Sequence, residues 1–271
     1  MSVLILGGTA EARALAAALD GTGVAVVSSL AGRVERPRLP VGDVRIGGFG
    51  GAGGFADYLA DKSIDAVVDA THPFAARISA NAVAACAPAG VPLLRLARPG
   101  WSTHPGAARW HWVDSHDEAA ALAARLGTRI WLTTGRQPLG SFTGPLAGAE
   151  VVVRVVDPPD VELPAQWEVI LDRGPYAYDA ERDLLVLRRI EVVVTKDSGG
   201  EHTQPKLEAA DALGVEVIVV RRPPWPGDQA AVVDTVDQAE RWVLRQSRAQ
   251  VAAPERPAHA HGDRERGDSD R

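Results

Sequence analysis

Short, largely apolar runs recur along nearly the whole chain, each followed by an alanine-rich stretch or a cluster of glycines. The runs lie at residues 3–6, 24–29, 44–46, 66–70 and 92–95, and again at 130–134, 151–155, 168–171, 192–195 and 215–220. Alanine-rich segments at 11–19, 74–87, 117–126 and 206–213 carry helical periodicity between them. A strand apolar along its length, and not merely at every second position, is buried on both faces, which is the condition of a parallel sheet covered by helices. The alternation therefore predicts an α/β architecture and argues against a β sandwich.

A chain of 271 residues is long enough for two such sheets with separate cores. In "LARPGW" (96–101), Pro99 and Gly100 break any regular element, so the boundary is placed there, giving a first domain over 1–98 and a second over 99–246. "RRPPWP" forms a rigid loop near the end of the second domain, and an amphipathic helix is expected from 233 to about 245. From Ser247 the sequence turns to Ala, Pro, His, Arg and Asp with almost no large apolar residue, so 247–271 is expected to form a disordered tail. A net charge of −6 argues against a nucleic-acid binder. The single cysteine excludes an internal disulfide and a cysteine-based metal cluster, and the histidines lack ligand spacing, so no metal is expected. No run is long and apolar enough for a membrane span, and the first residues enter a strand with no signal-type segment ahead of it, so a cytoplasmic location is expected.

The stretch "VLILGGTAEARALAAAL" (3–19) joins an apolar strand to a helix through Gly7, Gly8 and Thr9. Such a turn offers free backbone N–H groups and the positive end of the helix dipole to a phosphate, even without the G-x-G-x-x-G spacing. A fold of this kind that binds NAD places Asp or Glu at the end of the second strand to hold the ribose 2′-OH. Here "VVSSLAGR" (26–33) puts Ser28 and Ser29 there, with Arg33 following. A carboxylate would repel a 2′-phosphate, whereas hydroxyls and a guanidinium would bind it. The first half thus reads as a Rossmann-like domain selective for NADP(H).

Further candidates sit at other strand ends, where ligands bind in parallel sheets. "VRIGGFGGAGGF" (44–55) presents Gly48, Phe49 and Gly50, and "DATHPFAARISAN" (69–81) presents Thr71 and His72. Cys86 shares a helical face with Phe74, Ile78 and Ala82, which marks it as core. In the second half, "WLTTGRQPLGSF" (131–142) offers Gly135, Arg136 and Gln137, and "VVVTKDSGGEHTQPKLEAA" (192–210) offers Lys196, Ser198, Gly199 and Gly200 as an anion cradle, with Lys206 beyond. Two Rossmann-like sheets with such loops at their strand ends imply a cleft between them, with a nucleotide on the first side and a substrate bearing several negative charges on the second.

Taken together, "ILGGTAEARALA", "SLAGR", "GGFGG", "DATHPFAARISANA", "GVPLLRLARPGW", "LTTGRQ" and "TKDSGGEHTQPKLEAA" resemble the precorrin-6A reductase family over residues 3 to about 225. The resemblance implies an oxidoreductase of cobalamin biosynthesis that transfers a hydride from NADPH to the precorrin-6A macrocycle, giving precorrin-6B. It puts Gly7, Gly8, Thr9, Ser28, Ser29 and Arg33 on the cofactor side. It puts Gly48–Gly50, Thr71 and His72 near the nicotinamide and the cleft. Gly135–Gln137 and Lys196–Gly200 would face the tetrapyrrole and its carboxylates. His72 and Lys196 are the candidate catalytic residues, although Tyr176 and water also remain open as the proton source. Handover of the tetrapyrrole to neighbouring pathway enzymes is a further expectation, and non-catalytic NADP sensing and reduction of another acidic metabolite stand as alternatives.

Overall fold

The structure, a computed structural model, describes residues 1–32, 37–227 and 230–252. The first half runs β1 (Ser2–Leu6), α1 (Ala10–Leu19), β2 (Ala25–Leu30), β3 (Asp43–Ile46), α2 (Gly51–Asp61), β4 (Ala66–Asp69), α3 (Ala76–Ala89) and β5 (Leu93–Leu96). The second runs β6 (His111–Val113), α4 (His116–Leu126), β7 (Arg129–Leu132), α5 (Gly140–Thr143), β8 (Glu150–Val155), β9 (Glu168–Leu171), α6 (Tyr178–Leu187), β10 (Val192–Lys196), α7 (Pro205–Leu213) and β11 (Glu216–Val220), followed by β12 (Ala231–Val233) and α8 (Val236–Ala252). They build two six-stranded sheets, ordered β12-β5-β4-β1-β2-β3 and β6-β11-β10-β7-β8-β9, in which every pairing is parallel.

Burial explains the central strands. Val3, Leu4, Ile5 and Leu6 of β1 are all at most 1 % exposed: Val3 and Ile5 pack under α1 and α8, Leu4 and Leu6 under α2 and α3. β10 does the same in the second sheet, with Val192 and Val194 facing α4 and Val193 facing α7. Each fully buried aliphatic side chain of this kind contributes about 1.5–3 kcal/mol before the entropy of ordering is subtracted. Helix starts follow their caps. Ser115 Oγ accepts from Glu118 N at 3.1 Å while Glu118 reaches back to Asp114 N at 3.0 Å, a reciprocal box that starts α4. Cys86 lies in the α2/α3 core as expected, and burial pushes its thiol up to about 12.

The sheets exchange edges. After β5 the chain crosses over and enters the second sheet at its far edge as β6, beside β11; after β11 it crosses back and enters the first sheet as β12, beside β5. Residues 231–246, expected with the second domain, therefore belong to the first: Ala231–Val233 pair with Leu94–Leu96, and α8 packs on α1. β12 also takes the first turn of the helix expected from 233, so α8 starts at Val236. The expected tail begins too early as well. Residues 247–252 continue α8, since Ala, Arg and Gln are good helix formers; 253–271 lie outside the described residues.

Candidate active site

The two crossings run side by side and form the floor of the cleft. Arg222 donates from Nε to Asp197 O at 2.7 Å, from Nη1 to Arg98 O at 2.8 Å and from Nη2 to Pro99 O at 3.1 Å, so one guanidinium holds β10's loop against both linkers. Asp197 accepts from Trp101 N at 2.8 Å and pairs with Arg222 Nε at 3.2 Å. Arg98 donates to Ser198 O at 2.8 Å and grips both carboxylate oxygens of Glu11, on α1, at 2.8 and 3.0 Å. Gly199 has φ +64°, and a Cβ there would run into the Pro99 carbonyl; Gly200, at φ +81°, would put one 3.0 Å from Arg98. Both glycines thus serve the close approach of this loop to the linker, while Lys196 and Ser198 on either side of Asp197 reach the cleft.

On the first sheet, the β1–α1 turn is built as a phosphate loop requires. Gly8 sits at φ +107° with open space in front of it, and Gly7 N donates to Ser29 O at 2.9 Å. Thr9 caps α1, accepting from Ala12 N at 3.1 Å and donating to Ala70 O at 2.7 Å. Thr9→Ala should cost roughly 0.5–2 kcal/mol as a lost cap, read as a lower urea midpoint that Thr9→Ser restores; an unchanged midpoint would remove the cap from this role.

The β2 end has no carboxylate, as the sequence indicates, but its hydroxyls part company. Side chains alternate across a strand, so Ser28, in register with Ile5, faces α1, and Ser29, in register with Leu6 and Arg45, faces α2. Ser28 Oγ is buried and has no partner among the described residues. Ser29 Oγ accepts from Arg45 Nη1 at 3.0 Å. Arg45 also donates to Gly47 O at 2.9 Å and Gly48 O at 3.0 Å, and its guanidinium lies 3.8 Å over the Phe49 ring. Phe49 in turn packs on Phe55 and Tyr58, and Gly50 begins α2 in the left-handed region at φ +80°. Arg33 lies outside the described residues. Arg45 is the described guanidinium at this strand end, and the sequence reading missed it.

The β4 end is a buried ionic knot. Asp69 Oδ1 accepts from Thr71 N (3.0 Å), Thr71 Oγ1 (2.6 Å) and Arg95 Nη1 (2.7 Å), and Oδ2 accepts from Ser79 Oγ (2.6 Å). Arg95 returns to Thr71 O at 3.2 Å, which fixes the loop carrying His72. His72 Nδ1 accepts from Phe74 N at 3.2 Å, so the ring proton is on Nε2, which donates across the cleft to Ser198 Oγ at 3.1 Å. Burial, then the charges of Lys196, Arg98, Arg222 and Arg95, hold this imidazole well below its usual range and keep it neutral.

Lys196 projects from the end of β10 with Nζ 5.0 Å from the Phe74 ring centroid, so His72, Phe74, Ser198 and Lys196 meet at one place from both sheets. Desolvation lowers its ammonium to about 8. Of the other expected residues, Gly135 has φ +80° and lies under Lys196, Arg136 pairs with Asp160 at 3.1 Å, and Gln137 is exposed. Lys206 stands apart: it is 3 % exposed, donates to Thr203 O at 2.8 Å and sits 5.1 Å from the Trp101 ring, near the buried Arg154–Glu181 pair. Tyr176 likewise covers Arg154, at 3.6 Å, away from the His72–Ser198 contact. A cationic rim also joins the halves. Arg38 donates to Gly174 O at 3.4 Å, and Arg13 on α1 is lowered by burial and then by Arg38 and Arg173, with Glu11 opposing. Among the described residues no three His, Cys, Asp or Glu side chains gather to hold a metal, and no helix is long and apolar enough to cross a membrane.

Comparison with known proteins places this cleft in a family. Residues 2–244 match the family model described as "Precorrin-6x reductase CbiJ/CobK". A precorrin-6A reductase of Rhodococcus erythropolis is 53% identical over 242 residues, covering 89% of this chain and 96% of the relative. One from Mycobacterium tuberculosis is 50% identical over 243 residues, with 89% and 96% coverage. A solved structure described as CobK precorrin-6A reductase superposes with a TM-score of 0.83 at 38% identity, covering 91% of this chain and 97% of that one. The chain belongs to the precorrin-6x reductase family.

Proposed function

We propose that this enzyme reduces precorrin-6A to precorrin-6B, taking the hydride from NADPH. The observation that carries the cofactor assignment is the pairing of Ser29 with a stacked Arg45 at a β2 end that has no carboxylate. The open, positive-φ Gly8 beside the α1 N-terminus and the buried, unpartnered Ser28 Oγ also fit a dinucleotide with an extra phosphate. NADPH supplies the hydride; the chain supplies placement and charge. Gly7, Gly8 and Thr9 would hold the pyrophosphate, and Ser29 and Arg45 the 2′-phosphate. His72, pinned neutral between Phe74 N and Ser198, keeps the facing loops in register and excludes a competing cation from the hydride path. Lys196 places one positive charge where electron density moves into the macrocycle, and the rim of Arg13, Arg38 and Arg173 suits its peripheral carboxylates.

The purified protein mixed with precorrin-6A should oxidise NADPH mole for mole and yield a product heavier by two hydrogens. No oxidation with authentic substrate would overturn the assignment.

A further inference from the structure

Near the end of β10, Thr134, Lys196 and His116 lie close together, and two of them lack a hydrogen-bond partner among the described residues. β7 and β10 pair Ile130 with Val192 and Leu132 with Val194, and the ladder continues through Thr133 N, which donates to Val194 O at 2.9 Å. Two residues further along, Thr134 comes beside Lys196. Since Ile130, Leu132, Val192 and Val194 all face α4, Thr134 and Lys196 share that face. His116, the first residue of α4, caps the same end: its ring lies 6.3 Å from the Phe74 centroid, and Lys196 Nζ lies 5.0 Å from that same centroid. Phe74, from the first half of the chain, thus lies close to both, and Gly135 lies beside Lys196, where a Cβ would come 3.8 Å from Nζ.

This cluster is incompletely satisfied. Thr134 is 0 % exposed, and among the described residues neither its Oγ1 nor the buried Nε2 of His116 has a hydrogen-bond partner. Lys196 forms no ion pair among the described residues, and Asp114, Asp117 and Glu118, the acids nearest in sequence to His116, are exposed, with Asp114 paired to Arg221 and Glu118 turned to Asp114 N. Burial, then the charge of Lys196, holds His116 below its usual value, with Asp117 opposing. Buried polar groups in native proteins find partners, and an orphan set in a cleft marks a place where the working complex supplies one.

We propose that Lys196, Thr134 and His116 form a pocket for a single carboxylate of the tetrapyrrole, fixing the macrocycle's register beneath Phe74. Two carboxylate oxygens offer about four lone-pair sites, enough to accept from the ammonium, the hydroxyl and the imidazole N–H together. A neutral carbonyl could not balance the ammonium. A phosphate has the same acceptor chemistry, but the dinucleotide loops lie on the other sheet. This inference rests on the reading of the cleft as a precorrin site and adds a residue set that selects how that substrate sits.

The test is steady-state kinetics of the full chain with precorrin-6A and NADPH varied separately. Thr134→Val keeps the shape and removes the hydroxyl. It should raise the KM for precorrin-6A roughly 10–150-fold, the scale of one hydrogen bond to a charged group, with the KM for NADPH unchanged, and Thr134→Ser should restore it. His116→Phe, which keeps a planar ring and removes the N–H, should behave like Thr134→Val. Precorrin-6A with its carboxylates methyl-esterified keeps a carbonyl acceptor for the hydroxyl but carries no charge for the ammonium, so it should bind the wild type more weakly than the free acid, read by the change in its absorbance. Unchanged precorrin KM in both variants, a loss falling on NADPH, or an ester bound as tightly as the free acid would overturn the pocket. Wild-type protein that never turns over precorrin-6A would instead overturn the reductase assignment itself.

Discussion

Asp69→Ala is expected to remove roughly 3–5 kcal/mol of stability, the cost of leaving a buried charge uncompensated. Arg95 is 5 % exposed and its guanidinium is committed to Asp69 and to the Thr71 oxygens. Deleting the carboxylate strands that cation and simultaneously frees Thr71 N, Thr71 Oγ1 and Ser79 Oγ, each of which now donates to Asp69. The functional consequence follows from position: the freed loop carries His72, whose Nε2 contact to Ser198 joins the two sheets. Urea unfolding should show the lower midpoint, and turnover should fall even where the variant remains folded. Asp69→Asn keeps acceptor capacity at one oxygen and should recover part of the stability. A loss under about 1 kcal/mol for the alanine variant would mean that Arg95 re-solvates easily and the knot does not organise this loop.

Arg45→Ala is expected to weaken NADPH by roughly 1.5–3 kcal/mol, about 10–150-fold, while NADH changes little. The guanidinium is held in place by Ser29, Gly47 and Gly48 and by the Phe49 ring, so little side-chain entropy is lost when it meets a phosphate. Arg45→Lys retains the charge but neither the fork nor the stacking, and should fall between the two. Titrating each nucleotide against each variant separates the roles: equal losses for NADPH and NADH would reduce Arg45 to a brace for the Gly47–Gly48 turn.

The contrast between what sequence conveys and what it hides is physical. Runs such as "VLIL" and "VVVT" announce buried parallel strands because no other setting tolerates them, and glycine-rich turns at their ends locate the cleft. β6 and β12 were missed because three residues carry too little periodicity, and because each pairs with a strand about a hundred or more residues away, β6 with β11 and β12 with β5 of the first half. The assignment of 231–246 to the second domain failed for the same reason: nothing local records that the chain crosses back. The ties that shape the site are also distant in sequence, Glu11 with Arg98, Asp69 with Arg95, and Arg222 with Arg98 and Pro99. "KDSGG" signals a special backbone, but whether its glycines serve a ligand or a neighbouring segment depends on the linker above them. Arg45 could have been noticed as a lone cation in a strand beside a glycine cluster. Thr134 and His116 gave no signal, since their interest lies in what they fail to contact.

Hydride delivery across this cleft is tested most directly with NADPH carrying deuterium at the transferable position of C4, mixed with precorrin-6A in a single turnover and followed by mass spectrometry of the tetrapyrrole. The account predicts one deuterium in the reduced macrocycle and none left on the nucleotide. A reduced macrocycle without the label, or a label retained on the NADP+ formed, would contradict it.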